Sequence, residues 1–183
     1  MRILGIDPGS SATGYGVIER REGKLVHIAH GVLRPLAGAP LASRLDQLYT
    51  TLSDVIAKHA PDCSVVEEVF VAASPRSALV LGQARGALLA AVARAGLPVN
   101  EYTPARIKRA VTGNGRATKQ QVKSMVKRLL SLDRVPASDA ADALAAAIAY
   151  ANTGRLEALG VGVGAGRRGQ RAKAVTFSAR GAR

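Results

Sequence analysis
The stretch Leu4-Gly5-Ile6-Asp7-Pro8-Gly9-Ser10, near the start of the chain, runs an apolar strand straight into a turn. Ile3, Leu4 and Ile6 have the character of a buried strand, and Pro8-Gly9-Ser10-Ser11 must end it. Asp7 therefore falls at the strand's carboxyl end. A carboxylate wedged between a buried strand and a tight turn is poorly hydrated, so it stays charged only with a hydrogen-bonded partner or a cation. On this segment alone two readings stand: a turn acid bonding its own backbone, or the first member of a charged site.

The rest of the chain reads as elements that extend this strand. Residues 2–7, 13–20 and 24–33 are expected as three strands, with Gly14, Gly16 and Gly23 marking bends and Arg20 to Lys24 forming a hairpin; the short connections make an antiparallel meander. Leu41, Leu45, Leu48, Leu52, Val55 and Ile56 recur at helical spacing up to His59. Cys63 to Glu68 is a fourth strand, and one that follows a crossover helix is usually parallel to its partner. Pro75 to Ala95 reads as a helix in which Ala78, Gly82, Gly86 and Ala90 leave one face bare, either for another subunit or for the protein's own sheet. Pro98 to Tyr102 is a fifth strand. Helices follow from Thr103-Pro104 to the break at Gly113-Asn114-Gly115, from Arg116 to Leu130, and from Asp139 to Tyr150, with Ser138 placed as a cap. Beyond Gly154 the pattern dissolves into glycine and arginine. This implies one α/β domain over residues 1–153 and a disordered basic tail over 154–183.

If the fourth strand lies beside the first, Glu67 or Glu68 arrives at the edge that carries Asp7, and the alternation of strand side chains allows only one of them to join it easily. Asp139 and Asp142, three apart, project from one side of their helix. They are either acids favoured by the helix dipole or, because the flanking alanine-leucine run looks buried on both sides, carboxylates that need a positive partner. An oxygen-only cluster suits Mg²⁺ or Mn²⁺. Two such ions about 3.5–4 Å apart can drive phosphodiester hydrolysis.

The charge distribution points to the substrate class. The formal net charge is +13, of which residues 1–100 hold +2, 101–153 hold +5 and the last 30 hold +6. Such asymmetry suits a polyanion, and nucleic acid before membrane. Lys119, Lys123 and Lys127 share one helix face, which is either a solvated face or, as a same-sign stripe beside a glycine hinge with Glu101 the only acid between residues 101 and 130, a phosphate-contacting surface, the favoured reading. Six aromatics are too few for an extended base-stacking platform. Cys63 is the sole cysteine, which excludes a disulfide framework and a cysteine metal site within one chain. With no apolar run near the roughly 20 residues needed to span a bilayer and no signal segment at the start, a cytoplasmic protein is expected.

Gly5-Ile6-Asp7-Pro8-Gly9-Ser10 with Thr13-Gly14-Tyr15-Gly16-Val17, then Glu67-Glu68-Val69-Phe70, Ser77-Ala78-Leu79, Leu81-Gly82-Gln83-Ala84-Arg85-Gly86 and Asp139-Ala140-Ala141-Asp142-Ala143-Leu144-Ala145, closely resembles the RuvC family of bacterial Holliday junction resolvases, in the same order over residues 1–153. The resemblance implies a ribonuclease H-like fold with a five-stranded mixed sheet, three strands antiparallel and then parallel ones, flanked by helices. It also implies a homodimer, paired Mg²⁺-dependent nicking of a four-way DNA junction, and delivery by a RuvA–RuvB branch-migration complex. By matching positions it assigns catalysis and metal binding to Asp7, Glu67, Asp139 and Asp142, with two Mg²⁺ per site for which Mn²⁺ can substitute. Phe70 matches an aromatic suited to wedging at the junction centre. Lys108 and Lys119 match DNA contacts, with Arg76, Arg109, Arg116 and Lys123 as further candidates.

Two other classes remain in view. The opening motif also resembles the first phosphate loop of actin-like sugar kinases, which need a second domain and a second glycine-rich loop. A non-catalytic junction-binding protein accounts for the basic half but not for the buried acids. ATP turnover separates the first, and metal-dependent cutting of branched DNA the second.

Overall fold
The computed structural model describes residues 1–68 and 74–158, with side chains through 153. Phe70 and residues 159–183 of the expected tail lie outside the described residues.

Five strands form one sheet in the order β3-β2-β1-β4-β5: β1 (Arg2–Asp7), β2 (Thr13–Arg21), β3 (Lys24–Leu33), β4 (Cys63–Glu67) and β5 (Val99–Tyr102). β1, β2 and β3 pair antiparallel, whereas β1–β4 and β4–β5 are parallel. The mixed sheet is the one expected from the short meander followed by helical crossovers. Helices cover both faces. On one, α1 (Leu41–His59) and α2 (Pro75–Arg94) pack Leu48, Leu52, Leu88 and Val92 against Leu4, Ile6, Val17 and Val66. On the other lie α3 (Pro104–Thr112), α4 (Lys119–Leu129) and α5 (Ser138–Ala158), whose Ile107, Val126, Leu144 and Ile148 meet Ile3, Ile18, Val65 and Tyr102.

α5 is the organising helix. It lies between the sheet and the α3–α4 pair, and every residue from Ala143 to Ala149 is fully buried. A helix apolar all round is stable only in such a place. It approaches the sheet closely because the strands beneath it have no side chains at the crossing points. A Cβ on Gly5 would lie 1.9 Å from the Ala143 carbonyl oxygen, one on Gly14 would lie 1.9 Å from the Asp139 carbonyl oxygen, and one on Gly16 would lie 2.6 Å from Leu144 Cδ2. This corrects the bend assignment: Gly14 and Gly16 sit inside β2, opposite Asp7 and Gly5 of β1, and form a bare track for α5.

Boundaries shift in three elements. α4 starts at Lys119 rather than Arg116, because Thr118 and Gln121 form a reciprocal capping box there. β4 ends at Glu67. α5 begins at Ser138 and continues to Ala158, past the expected stop at Tyr150. The small-residue face of α2 is not pressed on its own sheet: a Cβ on Gly82 or Gly86 would meet nothing within 4 Å, and neighbouring Leu79 is 65% exposed.

Candidate active site
Three elements bring the acids together. β1 ends at Asp7, and the turn beyond it is fixed by the Thr13 hydroxyl, which donates to the Gly9 carbonyl at 2.8 Å, and by the Arg44 guanidinium, which donates to the Ser10 carbonyl. β4 runs parallel to β1 with Ile3 opposite Cys63 and Ile6 opposite Val66, so Glu67 lies one position past the last pair, level with Asp7. Strand alternation decides between the two glutamates. Asp7 shares a face with Ile3 and Gly5, and Glu67 shares a face with Cys63 and Val65; Ile3, Cys63 and Val65 all belong to the α5-side core. Glu68 falls on the other parity, with Val66 and the α1–α2 core. α5 then brings Asp142 over the same edge from its first turns.

Asp7, Glu67 and Asp142 line one cavity of about 180 Å³, with Lys108 of α3 and Lys119 of α4 at its sides and Ile107, Val122 and Ala145 as apolar wall. Asp139 is not among the lining residues, but its charge acts on both Asp7 and Asp142. Burial, reinforced by Glu67, Asp142 and Asp139, pushes the Asp7 carboxyl up to about 8. Burial and then Asp142 push Glu67 up to about 7, against the opposing pull of Lys119 and Lys108. Burial also raises Asp142, and Lys119, whose Nζ lies 3.6 Å from Asp142 Oδ2, opposes that rise. Among the described residues no three acid, histidine or cysteine side chains form a ready-made cation cage. Like charges in a poorly hydrated pocket repel one another and take up protons. The donor set is nevertheless oxygen only, which fits a hard divalent cation better than zinc.

A stability trend follows. Asp7 ionises from 3.8 when unfolded but only from about 8 when folded, so the folded state holds the extra proton between those values. Its favourable contribution is complete below pH 3.8 and is lost as pH rises toward 8, with Glu67 adding to the loss between 4.5 and about 7. In a chelating buffer, thermal stability should therefore fall between pH 5 and 8. A flat profile in calorimetry would show the two carboxyls to be ordinarily hydrated.

The basic candidates divide into groups. Lys108 and Lys119 line the cavity, and Lys123 is near enough to lower Asp142. Arg76, Arg109 and Arg116 are exposed and are not part of the cavity lining; Arg109 lies over Gly115, its Nε 3.7 Å from where a Cβ there would sit. Sequence reasoning did not anticipate the glycine track or the Arg44 clamp. The alternation of Gly14 and Gly16 below an alanine-rich helix was the available signal for the first.

The model of the crossover junction endodeoxyribonuclease RuvC family matches residues 3–150, nearly the whole described chain. The chain belongs to the RuvC family. It is 54% identical over 157 residues to the crossover junction endodeoxyribonuclease RuvC of Alkalilimnicola ehrlichii, spanning 86% of this chain and 94% of that protein. It is 53% identical over 154 residues to the RuvC of Cupriavidus metallidurans, spanning 84% and 85%. Among solved structures, Thermus thermophilus RuvC in complex with Holliday junction substrate superposes with a TM-score of 0.81 at 33% identity, covering 88% of this chain and 97% of that one. The five-stranded sheet, its helices and the RuvC motifs over residues 3–150 thus belong to one family architecture. No described helix is long and apolar enough to cross a membrane.

Proposed function
We propose that the protein resolves four-way DNA junctions in recombination and repair, hydrolysing one phosphodiester bond in each of two opposed strands, as a homodimer in the cytoplasm. The observation that carries this reading is the meeting of Asp7, Glu67 and Asp142, from β1, β4 and α5, in one cavity flanked by Lys108 and Lys119.

In this reading Asp7, Glu67, Asp139 and Asp142 hold two Mg²⁺, with Mn²⁺ able to substitute. When bound, such a pair supplies Lewis-acid stabilisation of the phosphate and of the water that attacks it. The chain's own contribution is placement. The fixed turn after β1 holds Asp7, the strand register holds Glu67 beside it, and the glycine track holds the start of α5 against both. The apolar wall of Ile107, Val122 and Ala145 limits water, which strengthens every charge interaction inside. Lys108 and Lys119 neutralise the phosphate from the sides. Lys123, Arg109, Arg116 and Arg76 extend the backbone contacts outward, and such contacts position DNA without reading its sequence. Phe70 wedges at the junction centre. Residues 1–153 form the nuclease domain, and the basic segment 154–183 adds sequence-independent DNA affinity.

The bare, exposed face of α2 supports the dimer, since small residues let two helices approach closely. A two-fold pair presents equivalent sites to a two-fold junction, and a RuvA–RuvB complex delivers the substrate. The test mixes purified protein with a synthetic four-way junction or an equivalent linear duplex, with and without Mg²⁺. Paired nicks are expected only with junction and Mg²⁺ together. Equal cutting of the duplex would make it a general ribonuclease H-like nuclease, and junction binding without cutting in Mg²⁺ would leave only a binding protein.

A further inference from the structure
We propose that Lys119 is a built-in counter-cation: it competes with divalent metal for Asp142 and moves to a DNA phosphate when the junction arrives, so that metal and DNA binding are coupled through one side chain. The inference rests on the metal-dependent reading above and gives Lys119 a second role beyond that of a phosphate contact.

Three features point this way. Lys119 Nζ lies 3.6 Å from Asp142 Oδ2, with the lysine side chain 74% exposed and the aspartate 18%. The cation is thus tethered loosely at the mouth of a cavity whose carboxylates lie deeper. Second, Lys119 is the first residue of α4, with no acid in the first turn. A cation there opposes the helix dipole, so its position is sustained by the carboxylate it faces and not by its own helix. Third, the Thr118–Gln121 capping box fixes the backbone beneath it, with Gln121 N donating to Thr118 Oγ1 at 3.2 Å and Thr118 N donating to Gln121 Oε1 at 2.8 Å. The helix start stays put while the four-carbon side chain swings.

An ammonium beside Asp142 repels any divalent ion entering the cavity, and a phosphate at the mouth offers that ammonium a better partner than a half-buried acid. Linkage makes the effect reciprocal: DNA that draws Lys119 away raises metal affinity, and metal that displaces Lys119 raises DNA affinity. Removing the charge should therefore act in opposite directions on the two ligands.

The test uses full-length protein, Lys119→Gln and Lys123→Gln. Mn²⁺ uptake without DNA is followed through the electron paramagnetic resonance of the free ion, and junction binding is measured in chelator. Lys119→Gln should bind Mn²⁺ about three- to tenfold more tightly and the junction more weakly. Lys123→Gln, one turn along α4 and with a weaker pull on Asp142, should raise Mn²⁺ affinity by clearly less than Lys119→Gln does. Unchanged or weaker Mn²⁺ binding in Lys119→Gln would overturn the proposal. So would an equal gain in Lys123→Gln, which would mark a general charge effect. Absence of Mn²⁺ uptake by all three proteins would instead sink the metal reading itself, and this inference with it.

Discussion
Asp7→Asn is expected to lower junction cutting by at least about 10³-fold, since several kcal/mol of charge stabilisation at the phosphate depends on the ligand set. Junction affinity should stay within about twofold, because the proposed arrangement assigns Asp7 to the metal and not to a phosphate. The same substitution should make the protein more stable. The Asp7 carboxyl is pushed up to about 8 by burial and by Glu67, Asp142 and Asp139, so near that pH an amide removes a buried charge crowded by three others. In chelator at pH 8 the gain should be at least about 1 kcal/mol, which corresponds to roughly 2–4 °C or more in Tm for a chain of this size. Saturating Mg²⁺ should narrow or reverse that difference, since ligands that bind the native state stabilise it. Loss of junction binding with unchanged cutting per bound complex would refute the role given to Asp7.

A methyl group added to the glycine track is the second large perturbation. Gly5→Ala places a Cβ 1.9 Å from the Ala143 carbonyl oxygen, a backbone atom in the fully buried stretch of α5 that has no room to retreat. Overpacking of this kind costs about 3 kcal/mol, roughly 6–12 °C in Tm. Gly14→Ala presses instead on the Asp139 carbonyl, at the start of α5. It should cost similar stability and also cut activity per folded molecule more than Gly5→Ala does, because the displaced turn carries Asp139 and leads to Asp142. Calorimetry and single-turnover cutting on the same preparations would separate the two effects. Unchanged Tm in both variants would mean that α5 is not seated on the strands as described.

Much of the architecture was legible in the sequence because its signals are periodic. Apolar strands bounded by Gly and Pro, and the helical spacing of Leu41 to Ile56, depend only on nearest neighbours. The choice between Glu67 and Glu68 was not open to local reading: it needed the parity of β4 against β1, which only register supplies. Gly14 and Gly16 were misread for a related reason. A glycine that bends a strand and one that clears space above it look alike until the element above is known. Asp139 and Asp142 were recognisable because charge in an alanine run is costly, whereas the continuation of α5 to Ala158 was hidden by Gly154, a helix-weakening residue in a helix held by its packing.

The position of α5 last among the described elements has a consequence during synthesis. The strands that carry Asp7 and Glu67 leave the ribosome well before Ser138–Ala158 is made. A partly translated chain can already contain all five strands of the sheet, yet Asp139 and Asp142 of α5 are still missing. A chain halted before residue 138 therefore lacks two of the four acids assigned to the site, Asp139 and Asp142.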